Sequence, residues 1–426
     1  MTNIQVQSIA PPDEKQTKSW LKTALVAALI WLPTACAVQP NRVGEIIQSP
    51  VVAQTNKPSR TFADVEALVN LGPRVTGTPV MEKASNYLIE EYRKAGYVTE
   101  LQTFTYSKFQ DLGSKLTVNG EIIEGKALSG TIPGNINAPV VVVPNVGRNA
   151  DFAAVNVKGA IAIVRRGEIR FSEKAKNAVD AGAVGLVIVN NKSGDLYGAL
   201  AAEVKIPVLA LKSEKGTRLI QQVQKVAQNA SLQVNAQRYT VTGRNVIAHL
   251  AGVTQPKIVI GGHYDSVPGS PGANDNASGT AVVLALARNM SNTEAARQAW
   301  FVAFDGEEDG LHGSRTFVKT KGAKFLSGLK AMLNFDMVGV NKQLGIGGTS
   351  SLTAYARKIN SGVKTFGSSG GSDHAAFADK GVPILFFYRG QEPGYHTPND
   401  KKVDPKLLDE TMQAGLDIVK QILSAN

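Results

Sequence analysis

The chain of 426 residues holds one cysteine, Cys36, so no disulfide framework can form within it. Stability must then come from core packing and from any metal its side chains gather. A membrane-spanning run is missing too: the apolar stretch TALVAALIWL is shorter than the roughly 20 residues a spanning helix needs. Acidic residues are in deficit, 35 against 46 Lys and Arg, which gives a formal net charge of +11. The basic residues are spread out and no recognition module accompanies them, which speaks against nucleic acid. The charge reads instead as solubility or attraction to an anionic envelope surface. No internal repeat stands out, and low complexity is confined to GGTSS and GSSGGS. What remains, 43% hydrophobic and 19% charged residues, is ordinary for a globular protein, and the length predicts two domains.

Lys15, Lys18 and Lys22 precede the apolar stretch, and Pro33, Thr34, Ala35, Cys36 and Ala37 follow it. That order is the order of a secretory signal, so residues 1–37 are expected to direct export to a periplasmic or extracellular location. Ala35 and Ala37 offer an A-x-A site whose cleavage removes the only cysteine. Cleavage before Cys36 would instead make a lipoprotein anchor, although Pro33 stands where that pattern usually has an aliphatic residue. An uncleaved tether is the third reading. In the cleaved forms no stable membrane span is expected. Residues 38–58 are polar and interrupted by proline, a linker, and the fold is expected to begin at Ser59.

A helical pattern in TFADVEALVNL leads through the turn GPRVTGTP to an amphipathic helix over 81–95, stopped by Gly96, and then to a strand in TELQTFTYS. Near Asp111 the character changes. LTVNGEIIEG alternates around Asn-Gly as a hairpin does, short apolar strands follow in APVVVVPN, GAIAIVRRG, GLVIVNN and IPVLALKSEKG, and a helix is predicted over 172–183. From NVIAHL onward, strands alternate with helices: KIVIGGHYDS, a helix over 279–290, QAWFVAFDG, a helix near 314–319, LKAMLNFDM and VPILFFYRG. Near-continuous apolar strands separated by helices predict an α/β fold with a mostly parallel sheet covered on both faces. Residues 59–109 and 239–426 would form it, interrupted by a β-rich segment over 110–238.

Again and again a strand of that second part stops at an acid or an imidazole. His263 ends IVIGGH, Asp275 lies in GANDNASG, Glu308 follows WFVAFDGE, Asp336 follows MLNF, and His396 lies in GYHTPND. Such strands deliver their terminal side chains to one sheet edge, where open α/β folds bind substrates. Zinc prefers imidazole nitrogen and carboxylate oxygen, and a catalytic ion must keep a position open. Two histidines and three acids suffice for two ions if one carboxylate bridges, the arrangement of two-metal hydrolytic sites. Carboxylate-rich shells also suit manganese or cobalt. Taken singly, Asp275 is a turn residue or helix cap, Glu307 and Glu308 a solvated corner, His263 a core histidine and Asp336 a strand-end cap. Taken together they read as a metal-dependent hydrolase.

Two resemblances sharpen this reading. VKGAIAIVRRGEIRFSEKAKNAVDAGAVGLVIVNN and IPVLALKSEKGTRL, within 110–238, resemble the protease-associated (PA) domain that many secreted peptidases carry as an insertion. From His263 to Asp400, GHYDS, GANDNASG, EE before GLHGS, NFDM and YHTPND resemble, in order, the dinuclear zinc aminopeptidases of the bacterial leucyl aminopeptidase type. Aminopeptidase Y and glutamate carboxypeptidase are relatives of that type. Carried over, the resemblance implies one zinc on His263 and Asp336, another on Glu308 and His396, Asp275 bridging, and Glu307 as general base. Tyr395 resembles the tyrosine that polarises the scissile carbonyl in some members, and Asp265 is suited to orient His263. The implied activity is an exported aminopeptidase acting on peptides with a free N-terminus. Carboxypeptidase or dipeptidase activity on the same scaffold, a one-metal glutaminyl cyclase and an inactive receptor-like module are the rivals. Arg389 is the residue a carboxypeptidase reading would enlist. Asp400 reads as a helix cap or supporting acid, His249, His312 and His374 as structural, and Asp373 with His374 as pocket-lining alternatives.

Overall fold

The computed structural model describes residues 59–367 and 371–424; the expected signal and linker, 1–58, lie outside the described residues. Helix α1 (Arg60–Asn70) starts where the Ser59 hydroxyl accepts the N–H of Phe62 at 3.3 Å. Helix α2 (Pro79–Lys94) starts where Thr78 accepts from Met81 at 3.4 Å, with a proline in the turn whose N–H would have no partner anyway. Gly96, at φ 91°, ends it. Strand β1 (Val98–Asp111) runs further than TELQTFTYS because polar residues continue its alternation.

Seven strands then close a barrel in the order β2-β3-β7-β6-β5-β4-β8. They are β2 (Ser114–Val118), β3 (Glu121–Ala127), β4 (Gly134–Val142), β5 (Ile161–Arg165), β6 (Gly185–Val189), β7 (Val208–Leu211) and β8 (Asn229–Val234). Helices α3 (Asn149–Ala153), α4 (Phe171–Asp180) and α5 (Ser213–Lys225) connect them. Asn119 and Gly120, at φ 48° and 81°, turn the β2–β3 hairpin. The strand expected through IPVLALKSEKG stops at Leu211, because Ser213 opens α5.

Strand β9 (Ala236–His249) returns antiparallel along all of β1, with Val98 opposite His249 and Asp111 opposite Ala236. There follow β10 (Ile258–His263), α6 (Gly279–Met290), β11 (Ala299–Phe304), α7 (His312–Ser327), β12 (Ala331–Phe335), β13 (Gly345–Gly348), α8 (Ser350–Ile359), β14 (Lys364–Phe366), α9 (His374–Ala378), β15 (Ile384–Tyr388) and α10 (Pro405–Ser424). The sheet order is β1-β9-β11-β10-β12-β15-β13-β14. Its centre, β11-β10-β12-β15, is parallel, and the antiparallel pairings lie toward the edges. Ile258 and Ile260 pack on one face with α1, α2, α6 and α10, while Val259 packs on the other with α7 and α9. A sheet buried on both faces explains the unbroken apolar strands. Helix α7 is longer than the expected 314–319, because it resumes beyond a break at Gly322, φ 73°. Helix α6 sits hard against β12: a Cβ on Gly279 would lie 2.1 Å from the Phe335 carbonyl oxygen.

Candidate metal centre

Because β10, β11, β12 and β15 run parallel, their C-terminal ends share one edge of the sheet. His263 is the last residue of β10, and Asp336 follows the last residue of β12. Glu307 and Glu308 follow β11 after a bend at Gly306, φ 73°. Asp275 lies in a tight turn, Ala273–Ser278, ahead of α6, and His396 in the loop after β15.

These side chains form two groups that share a member. His263 Nε2 lies 3.2 Å from Asp275 Oδ1 and 3.4 Å from Asp336 Oδ1. His396 Nε2 lies 3.1 Å from Asp275 Oδ2 and 3.0 Å from Glu308 Oε2. In each group the potential ligand atoms lie within 4.8 Å of one another. Asp275 therefore offers one oxygen to each side.

A supporting layer holds them. Asp265 faces His263 Nδ1 at 3.4 Å and accepts the backbone N–H groups of Glu307 at 3.3 Å and Glu308 at 3.2 Å. One carboxylate thus orients both an imidazole and the turn that carries two acids. Asp400 accepts the N–H groups of Asn274 at 2.7 Å and Asp275 at 3.0 Å, a supporting role for the Asp275 turn. Arg74 is fully buried, and its guanidinium donates to the carbonyls of Tyr264, Pro271 and Gly272 at 2.7, 2.5 and 2.8 Å. It pins the backbone between His263 and Asp275. Sequence reading passed over Arg74, a lone cation in a Gly/Pro turn with no periodicity to mark it. It also passed over Asp305, which accepts from Thr76 Oγ1 at 2.6 Å and Arg244 N–H at 2.8 Å.

Other histidines stand elsewhere. His249 stacks on Trp300, His312 on Tyr106 and His374 on Phe386. Tyr395 stacks on His396 with ring centres 3.8 Å apart. Arg389 is buried and committed to Thr411 Oγ1, Glu410 and the carbonyls of Asn341, Lys342 and Leu407. A cavity of about 940 Å³ beside α7, lined by Arg315, Leu326 and Lys380 among others, includes none of these ligand candidates.

Electrostatically the cluster is overloaded with acid. Burial pushes Glu307 up to about 10, helped by Asp336, Asp373 and Asp265 against the pull of His263. Burial likewise raises Glu308 to about 7 and Asp373 to about 7. Hydrogen bonds donated to Asp275 and then to Glu308 lift His396 to about 10. His263 is raised as well, since Glu307 and Asp336 outweigh its burial. Asp275 is held low, because bonds to His263 and His396 overcome its burial. Glu308 Oε1 and Asp336 Oδ1 are buried without a hydrogen-bond partner among the described residues. Converging anions, imidazoles and unpartnered carboxylate oxygens are a donor set that fits divalent zinc.

A model of peptidase family M28 matches residues 245–419, and one of the PA domain matches residues 136–219. The aminopeptidase YwaD of Bacillus subtilis is 34% identical over 381 residues, which cover 81% of this chain and 79% of that protein. The chain belongs to peptidase family M28. Among solved structures, this M28 chain is similar to the aminopeptidase from Aneurinibacillus sp. strain AM-1, with a TM-score of 0.73, 32% identity and coverage of 86% of this chain and 93% of that one. It is also similar to BSAP, a zinc aminopeptidase from Bacillus subtilis, with a TM-score of 0.70, 31% identity and coverage of 86% and 94%.

Proposed function

We propose that this M28 peptidase is an exported aminopeptidase whose centre holds two zinc ions, one on His263 and Asp336, the other on Glu308 and His396, with Asp275 between them. The observation that carries the reading is the division of the Asp275 carboxylate, one oxygen toward each imidazole. When bound, the zinc pair would polarise the scissile carbonyl and acidify a water near neutral pH.

The chain's own residues do the rest. Glu307 accepts the proton of the attacking water and returns it to the departing amine. Burial and the neighbouring acids raise its pKa, and bound dications would lower it toward the range of a base. Asp265 holds the imidazole of His263 from behind and fixes the Glu307–Glu308 backbone. Tyr395, whose phenol burial keeps protonated, is placed beside His396 to donate to the carbonyl oxygen.

A carboxypeptidase needs a cation free for the terminal carboxylate, and the guanidinium of Arg389 is already engaged with Thr411, Glu410 and three carbonyls. An inactive module has no use for the assembled acids. The domain reading keeps residues 110–238 as the PA insertion within a catalytic domain of 59–109 and 239–426. Export rests on the signal pattern of residues 1–37, ahead of a linker over 38–58, with Cys36 the alternative lipid anchor. Among the described residues no helix is long and apolar enough to cross a membrane.

The test incubates the protein with aminoacyl nitroanilides and with N-blocked peptides, before and after chelation. Cleavage of the nitroanilides that stops on chelation and returns with zinc is expected. Cleavage of blocked peptides alone, or indifference to chelator, removes the aminopeptidase reading.

A further inference from the structure

The turn that carries Glu307 and Glu308 is intrinsically costly. Gly306, Gly310 and Leu311 all have positive φ, at 73°, 118° and 63°. For Leu311 that conformation is unfavourable by roughly 1–2 kcal/mol, so the turn persists only where its surroundings hold it. Within it, His312 N–H bonds to the Gly306 carbonyl at 2.9 Å, and the N–H groups of Gly310 and Leu311 bond to the Glu307 carbonyl at 2.8 and 2.9 Å. Asp265 secures one side.

The other side is secured from the far end of the first catalytic segment, in β1. Asp309, the residue after Glu308, accepts a hydrogen bond from the Tyr106 hydroxyl and an ion pair from Lys108 Nζ at 2.7 Å. The Lys108 and Asp309 side chains are 16% and 21% exposed, so water screens this pair less than a surface pair. The Tyr106 ring also stacks on His312, at 3.8 Å and 14°. Tyr106 and Lys108 are two apart in β1 and project from the same face of the ribbon it forms with β9. They lie on its outer half, since β11 pairs only with Val246–Ala248 of β9. Three residues further on, β1 ends against the barrel, where the Asp111 carboxylate accepts from Ser114 Oγ at 2.7 Å and Ala127 N–H at 2.9 Å.

We propose that Tyr106 and Lys108 are positioning residues for Glu307: by gripping Asp309 they hold the Gly306–Leu311 turn, so the ribbon that bears the PA barrel also sets the base. This rests on the assignment of Glu307 above. Neither residue touches substrate in this scheme, and both act through Asp309. Release of that grip leaves the turn held by Asp265 alone, through the N–H groups of Glu307 and Glu308, so zinc is kept while the Glu307 side chain loses its fixed aim.

The double variant Tyr106→Phe/Lys108→Met tests it, with Lys108→Met and Lys108→Arg alone and Glu307→Gln in parallel. A displacement near 1 Å at a reacting group costs up to about 100-fold, so kcat is expected to fall about 10- to 100-fold with KM within about threefold. Zinc content by elemental analysis stays at the wild-type level, and Lys108→Arg recovers most of the rate. A merely structural role would lower the thermal midpoint and leave kcat of the folded fraction unchanged. That result, or a loss carried by KM or by zinc content, overturns the proposal. If the double variant does not fold, the kcat of Lys108→Met decides by the same criteria. Loss in Glu307→Gln with none in the ribbon variants refutes the grip alone, whereas no loss in Glu307→Gln refutes the assignment beneath it.

Discussion

Glu307→Gln removes one carboxylate charge and leaves the length and volume of the side chain nearly unchanged. A general base contributes about 10²- to 10⁴-fold to a rate. At about 1.4 kcal/mol per tenfold, this corresponds to roughly 3–5 kcal/mol of barrier. The surroundings of Glu307 place the expected loss in the upper half of that range. Asp275, Glu308 and Asp336 belong to the two ligand groups, Asp265 is occupied with His263 and two backbone N–H groups, and Asp373 is fully buried. Each of these described acids is a ligand candidate, already engaged or fully buried, so a fall of about 10³-fold or more in kcat is expected. Folding should not suffer. Burial and the neighbouring acids already disfavour the ionised form of Glu307, so a neutral amide of the same shape fits its surroundings. The assay follows nitroanilide turnover, zinc content and thermal midpoint on one preparation. A kcat within tenfold of wild type would refute the assignment, and so would depletion of zinc, which would make Glu307 a ligand.

Two further outcomes are expected. Asp275→Ala should lose more zinc than either Asp336→Ala or His396→Ala, because its carboxylate serves both groups; equal losses by elemental analysis after dialysis would remove the shared role. Glu91 is subject to burial, which would raise its pKa, but bonds from Lys94, Arg60 and Arg288 hold it down to about 2 from 4.5. A depressed carboxylate stabilises the fold above its unfolded pKa, and that contribution is lost as pH falls through the folded value. The thermal-midpoint gap between wild type and Glu91→Gln should therefore be widest above pH 4.5 and close toward pH 2. A gap that stays constant over that window would show that Glu91 acts through something other than its charge.

Strand ends were legible in the sequence because His263, Glu308 and Asp336 follow apolar runs, which burial on both sheet faces makes continuous, whereas Asp275 and His396 lie in loops and were legible only through the order of motifs. Helix α6 begins and ends where its pattern does, at Gly279 and Met290, since it is apolar on every side. Helix α7 was not legible to its full length: Gly322 breaks the pattern, and only tertiary packing of Phe325 and Leu326 continues it. Strands β13 and β14 were not legible: the glycine-rich GIGG of β13 carries no β signal and is a strand through its pairing with β15 and β14, and the three residues KTF of β14 are too few to show an alternation. Helices α5, α8 and α10 each bury one apolar face, and that periodicity is present in the sequence. In the centre, His and acid ligands announce themselves by residue type. Arg74 does not, because its work is done on backbone carbonyls distant in sequence, and no spacing rule records such partners.

The Asp275 turn is gripped from opposite ends of the described chain, by Arg74 near the beginning and by Asp400 close to the end. His396 completes the second ligand group just as late. A growing or truncated polypeptide that stops before these positions lacks half the centre and the clasp on its middle. On the proposed assignment, a chain cut short before His396 would hold one ligand group and could not assemble the other.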